Sequence, residues 1–293
     1  MRSFLFPQFK NNPITGYQIK LPKIGSVTIN LHRPIPEGFV VKQVRIVKKA
    51  SGWYAVCCIQ SDLKIPEPVG DLSKTSMGVD LGFDSLIATS KGEIVKRPKF
   101  LLKLHRKLKS LQRKLKNKVK GSKNWQKCCQ KIALLHERIS RKRKDYHYKL
   151  SHYLCDQTEM LFIEDLDFRA WGRGFLRKHS LDFGFGAFVE ILSHVCKKRN
   201  VYLLKVDKNY TSQGCPNCNA LTGKKLLSLR VHSCPECGFT TDRDVAASMI
   251  IEQRGLTALG HGVLQPVEDN SIGGLESSKS RAALRSRNTQ AGT

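Results

Sequence analysis

Apolar and polar residues alternate with a period of two near the start of the chain. Tyr17-Gln-Ile-Lys-Leu21 and Val27-Thr-Ile-Asn-Leu31 each place every second side chain on one face, the pattern of half-buried strands. Two further runs, Val40 to Lys48 and Trp53 to Gln60, flank Ala50-Ser51-Gly52, which predicts a hairpin. Residues 1–65 therefore read as a small antiparallel β unit, a barrel or the remnant of one. Ile65-Pro-Glu-Pro-Val-Gly70 then reads as a linker, because two prolines cannot donate to the ladder of a central strand. Three short strands follow, Met77 to Gly82, Ser85 to Thr89 and Glu93 to Val95, the first apolar with Asp80 in its middle.

From about Phe100 the period lengthens. Leu101, Leu104, Leu108, Leu111 and Leu115 step by three or four, and Ile132, Leu135 and Ile139 resume the stripe after a break at Gly121-Ser122. A helical hairpin over 100–158 is predicted. A buried strand from Met160 ends in acids around Glu164, a helix spans Phe185 to Arg199, a strand Val201 to Val206, and a last helix Val245 to Glu252. Strands interleaved with helices indicate an α/β fold. Three consecutive antiparallel strands with an acid on the first resemble a ribonuclease-H-like sheet, here carrying the hairpin as an insertion. The Ser/Gly/Arg-rich residues 262–293 are expected to form a disordered basic tail.

Charge changes the picture. The chain has 51 Lys+Arg against 24 Asp+Glu, a formal charge of +27, so a polyanion such as nucleic acid is the expected partner. Residues 96–149 alone hold 21 Lys+Arg against Glu137 and Asp145, or +19. Repulsion of one sign on that scale points to a backbone-gripping surface rather than a solvated helix pair. No apolar run approaches the ~18 residues of a membrane span, and the N-terminal residues do not form a signal peptide. The expected location is cytoplasmic and nucleoid-associated, with no membrane partner.

Ten cysteines are present. Cys215-Pro-Asn-Cys218 and Cys234-Pro-Glu-Cys237, fifteen residues apart, have the spacing of a four-thiolate zinc ribbon. Cys57, Cys58, Cys128, Cys129, Cys155 and Cys196 show no disulfide framework and read as thiols of a reducing cytosol.

Three carboxylates stand at strategic points: Asp80 on the first strand, Glu164 at a strand end and Asp244 at a helix start. Brought together without basic partners, they would repel unless cations neutralised them, and hard oxygen donors favour Mg²⁺ or Mn²⁺. Each residue has an ordinary reading as well. Asp80-Leu-Gly82 also suits the nucleotide loop of an actin-like ATPase, Glu164 suits a cap or surface acid, and Asp242 competes with Asp244 as ligand or N-cap. Tyr210 reads as packing or as substrate contact.

Met77-Gly-Val-Asp-Leu-Gly82, Phe162-Ile-Glu-Asp-Leu166, Tyr210-Thr-Ser-Gln213, the two cysteine pairs and Asp242-Arg-Asp244 together resemble the TnpB family. These are OrfB-type, transposon-encoded proteins similar to compact type V CRISPR nucleases. The resemblance spans roughly residues 10–255 and implies a RuvC nuclease domain over 71–254, a zinc ribbon inserted at 208–242, and a partial wedge-like β-barrel over 1–65. It implies a metal-dependent, RNA-guided DNA endonuclease, with guide RNA from the transposon end and a DNA target. By motif position Asp80, Glu164 and Asp244 match the catalytic, Mg²⁺-binding acids, and Cys215, Cys218, Cys234 and Cys237 the zinc ligands. Ala246 stands where family members commonly have Asn, and the resemblance implies an N-terminally shortened chain. The alternatives are a guided DNA-binding regulator without cleavage and an inactive remnant. A strand-joining transposase ranks lower, for want of a His-x-His motif with a downstream Tyr.

Overall fold

The computed structural model describes residues 3–260, apart from 65, 72, 84, 99, 169–182 and 227. The period-two region forms β1 (Ser3–Phe6), β2 (Ile14–Thr15), β3 (Gln18–Leu21), β4 (Gly25–Thr28), β5 (Val40–Lys49) and β6 (Gly52–Gln60). They make two antiparallel sheets, β1-β5-β6 and β2-β3-β4. Ile19, Leu21, Val41 and Val44 from both sheets are buried in one shared core. Strand β1 is absent from the sequence expectation: Phe4 and Leu5 are adjacent and both exposed, so no alternation marks it.

The five-stranded central sheet has the order β11-β10-β7-β8-β9. It comprises β7 (Ser76–Asp80), β8 (Ser85–Thr89), β9 (Ile94–Lys96), β10 (Met160–Glu164) and β11 (Tyr202–Val206). The first three pair antiparallel, while β10 lies parallel to both β7 and β11. Both faces are covered, which is why β10 reads as an unbroken apolar run. Leu161 and Ile163 join Met77 and Val79 in the main core, and Met160 and Phe162 pack on the opposite face.

Helix α1 (Phe100–Lys116) and helix α2 (Lys123–Gln157) form the predicted hairpin. Ser122 starts α2, its hydroxyl accepting from Trp125 N at 3.1 Å. Leu108, Leu135 and Ile139 bury the seam, with Leu104, Leu111 and Ile132 against them. The far end of α2 buries Leu150, Leu154 and Cys155 in the main core with helix α3 (Phe185–Arg199). His147 is buried there too, 2.9 Å from the Phe183 carbonyl. Nearer its start, α2 meets the β5–β6 turn. Ser51 N donates to Glu137 Oε2 at 3.0 Å, Arg141 Nη2 donates to Ser51 Oγ at 2.9 Å, and Gln130 Nε2 donates to the Ala50 carbonyl.

Helix α4 (Arg243–Ala258) covers the remaining face of the sheet. It runs six residues past the expected end at Glu252. A Cβ built on Gly78 would lie 2.0 Å from Ser248 O, and one on Gly255 would lie 2.2 Å from the Phe162 ring. Both glycines let helix and sheet approach more closely than any side chain permits. The expected tail over 262–293 lies outside the described residues. All ten cysteines are free of disulfides.

Candidate functional site

Parity along the strands decides which side chains meet. Gly78 faces α4, so Asp80, two residues on, belongs to the same face. On β10, Met160 and Phe162 face that side, and so does Glu164. Register places the two acids side by side: Ile163 pairs with Val79, and Glu164 and Asp80 are the next residues along these parallel strands. Asp80 is the last residue of β7 rather than its middle. The ladder to β8 holds only Val79↔Thr89 and Asp80↔Ala88 before the chain bends, with Gly82 N bonded to Leu86 O at 3.3 Å.

Asp244 arrives from the first turn of α4. Asp242 caps that helix, its Oδ1 accepting from Asp244 N at 2.8 Å and Val245 N at 3.4 Å. Asp244 therefore carries the free carboxylate of the pair. It is not without basic partners, contrary to expectation: Arg243 Nε lies 3.6 Å from Oδ1 and Arg230 Nη1 4.0 Å from Oδ2. These arginines partly offset its charge.

The electrostatics show Asp80 sensing both other acids. Burial first, and then the charges of Glu164 and Asp244, push the Asp80 carboxyl up to about 8, while Arg243 opposes. Burial also raises Glu164, against a hydrogen bond from Thr211 and the charges of Arg254 and Lys208. Glu164 is 8% exposed, which rules out a surface or capping role, whereas its neighbours Asp165 and Asp167 are exposed. Thr211, itself buried, donates its hydroxyl to Glu164 Oε1. Sequence reasoning noticed the motif containing Thr211 but not this contact across 47 residues of chain.

The cysteines form a second centre. In each knuckle the residue after the second cysteine is left-handed, Asn219 at φ 61° and Gly238 at φ 71°. Its N–H returns to the first cysteine's carbonyl, at 2.9 and 3.0 Å respectively. Two equivalent turns thus aim four sulfurs at one point. Cys215 and Cys237 Sγ are 3.6 Å apart, as are Cys218 and Cys234. Tetrahedral Zn–S bonds of ~2.3 Å require about 3.8 Å between sulfurs, so the four residues fit such an ion. Among the described residues this is the one group of three or more His, Cys, Asp or Glu whose ligand atoms all lie within 4.8 Å. Asp80, Glu164 and Asp244 do not form such a group. Strands β12 (Val231–Ser233) and β13 (Thr240–Asp242) close this small unit, and β13 runs straight into α4 at Asp242. Gln253 Nε2 on α4 donates to the Pro216 carbonyl at 2.6 Å, fastening the first knuckle to the helix.

Residues 62–171 match the family model described as "Probable transposase", OrfB_IS605, and residues 185–251 match "Cas12f1-like, TNB domain". A protein of Escherichia coli K12 named "Putative RNA-guided DNA endonuclease InsQ" is 30% identical over 278 residues, covering 89% of this chain and 67% of that protein. The chain belongs to the TnpB family. A Streptomyces pristinaespiralis relative bearing the same description is 31% identical over 267 residues, covering 89% of this chain and 65% of the relative. This TnpB-family chain thus spans about two thirds of the length of these relatives. A solved Cas12f1–sgRNA–target DNA complex aligns at 16% identity and TM-score 0.47, over 87% of this chain and 67% of that one. Within the TnpB-family chain, the first match holds Asp80 and Glu164, and the second holds all four clustered cysteines and Asp244. No helix among the described residues is long and apolar enough to cross a membrane.

Proposed function

We propose that this protein is a metal-dependent, RNA-guided DNA endonuclease that cuts phosphodiester bonds at Asp80, Glu164 and Asp244. The observation that carries the reading is their convergence from three elements onto one face, with Asp80 between two charges that push its carboxyl up. The order β11-β10-β7-β8-β9 is read as ribonuclease-H-like, making 71–254 a RuvC-type domain, 100–158 its inserted hairpin and 208–242 its inserted ribbon. The two N-terminal sheets are read as a partial wedge-like barrel over 1–65.

Asp80, Glu164 and Asp244 would hold Mg²⁺ or Mn²⁺, whose contribution is to activate water and stabilise the leaving 3′ oxygen. Asp80, whose carboxyl is raised by burial and by the charges of both other acids, would be the ligand that most needs such a cation. The chain's own residues set the geometry. Thr211 fixes one rotamer of Glu164, Asp242 fixes the helix that carries Asp244, and Arg243 limits repulsion before any cation enters. Cys215, Cys218, Cys234 and Cys237 would hold a structural Zn²⁺ that maintains the β13–α4 junction. The +19 charge of residues 96–149, most of it on the hairpin, grips nucleic-acid backbone, leaving sequence choice to pairing between an RNA guide and the target strand.

The test is direct. The purified protein with its transposon-end RNA should cleave matching DNA in Mg²⁺ and lose cleavage on Asp80→Ala. Cleavage that persists in Asp80→Ala removes the proposed active site. Binding without cleavage by the unmutated protein would instead identify a DNA-binding regulator, although retention of all three acids argues against one.

A further inference from the structure

Between β11 and the first cysteine knuckle, one residue has a backbone conformation at odds with its side chain. Tyr210 sits at φ 59°, in the left-handed region that bulky residues avoid. Its side chain gains nothing evident in return. Tyr210 is 59% exposed, and no hydrogen bond or ring contact ties its side chain to a described residue. Packing therefore does not explain a tyrosine here.

The turn itself enforces the conformation. Gln213 N and Gly214 N both donate to the Tyr210 carbonyl, at 3.0 and 3.1 Å. The next residue, Thr211, is the buried hydroxyl that holds Glu164. An exposed aromatic ring is thus fixed one residue away from the contact that orients a proposed metal ligand. The charges nearby suit a polyanion, since Lys208 and Arg254 act on Glu164, and Arg243 acts on Asp80. Strain maintained at an exposed ring beside these charged groups indicates a ligand contact.

We propose that Tyr210 is a substrate-positioning residue, whose ring stacks on an unpaired base of the DNA strand entering the three-acid site. Stacking needs only the π-face that every base presents, so it would steady the strand without reading its sequence. This rests on the nuclease reading of the acids, and the experiment separates the two. The full chain with guide RNA is mixed with a single-stranded DNA carrying 2-aminopurine, in Ca²⁺ to keep the strand intact. Fluorescence is compared for the unmutated protein and for Tyr210→Phe, Tyr210→Ala and Tyr210→Gly. Cleavage is then measured in Mg²⁺.

Quenching by the unmutated protein and Tyr210→Phe, and its loss in the other two variants, is expected. Cleavage should fall roughly ten-fold or more in Tyr210→Ala and Tyr210→Gly, the loss of one base–aromatic stack. Tyr210→Gly relieves the backbone strain, so its Tm should stay level or rise by roughly 2 °C while its cleavage falls. A structural tyrosine cannot produce that opposition. Absent quenching, quenching retained in Tyr210→Ala, cleavage by Tyr210→Gly at the unmutated rate, or failure of Tyr210→Phe to rescue would each overturn the proposal. If no variant cleaves at all, the endonuclease reading fails, and the fluorescence comparison alone decides the stacking.

Discussion

Gly78→Ala tests how closely α4 must approach the sheet. The added Cβ would lie 2.0 Å from Ser248 O and 2.6 Å from Glu252 N, both backbone atoms that no rotamer change can move aside. Restoring even a tight 3.4 Å contact displaces the helix by about 1.4 Å, the difference between those two distances. Asp244 is one turn before Ser248 on the same rigid helix, so it moves with it. Overpacking of this kind destabilises by roughly 1–3 kcal/mol, a Tm loss of several degrees in a chain of this size. A misplacement on the order of 1 Å at a reacting centre can lower the rate ~100-fold. The expected result is therefore a folded protein whose cleavage, measured well below its Tm, falls far more than its stability. Gly186→Ala is the control, because a Cβ there meets nothing within 4 Å and the residue lies in the first turn of α3. It should leave cleavage intact and match or exceed the original stability by up to ~1 kcal/mol. If Gly78→Ala melts and cleaves like the unmutated protein, the close helix–sheet contact does not set the position of Asp244.

Three further outcomes follow from the electrostatics and the cysteines. Asp80 has a folded-state pKa raised to about 8, so the metal-free protein should lose stability as pH climbs from 3.8 towards 8. Asp80→Asn should abolish that slope, raise the metal-free Tm at pH 8 by several degrees and eliminate cleavage; a lower Tm would contradict the burial argument. His147 is depressed to about 4 by burial, so its contribution is present above 6.5 and lost as pH falls towards 4. That amounts to about 3 kcal/mol at most, and a pH-series of thermal melts should flatten in this window for His147→Leu, whose overall Tm is lower. Cys234→Ser should reduce bound zinc by native mass spectrometry, and lower both Tm and cleavage even in excess Mg²⁺; full activity without zinc would disconnect the ribbon from the acids.

How much could be read beforehand depended on the distance over which each signal acts. Strand-like runs located β5 and β6, short apolar runs located β8 and β11 to within a residue or so, and the stripe from Leu104 to Ile139 located the hairpin. Cysteine spacing announced the ribbon because each knuckle is a local turn. Strand β1 escaped notice, since an exposed edge strand has no apolar face to alternate. The neighbourhood of Asp80 and Glu164 was legible through the expected strand order. The arginines beside Asp244 and the hydroxyl on Glu164 were not, because Arg230 and Thr211 meet their partners only once the sheet and ribbon have formed. Asp242 and Asp244 were interchangeable in the sequence, and only the first turn of α4 separates cap from free carboxylate.

Helix α2 is seized at two levels, by Ser51 against Glu137 near its middle and by Leu150 and Leu154 in the main core near its end. The thirteen helical steps from Glu137 to Leu150 form a rigid ruler of about 20 Å between the N-terminal sheets and the central sheet. Lengthening that rod by one residue rotates one grip by about 100° relative to the other, whereas adding about one full turn nearly restores the phase and separates the two units by ~5–6 Å. The spacing between these units is thus quantised by helical pitch, and chains of this family that differ in this interval should differ by whole turns.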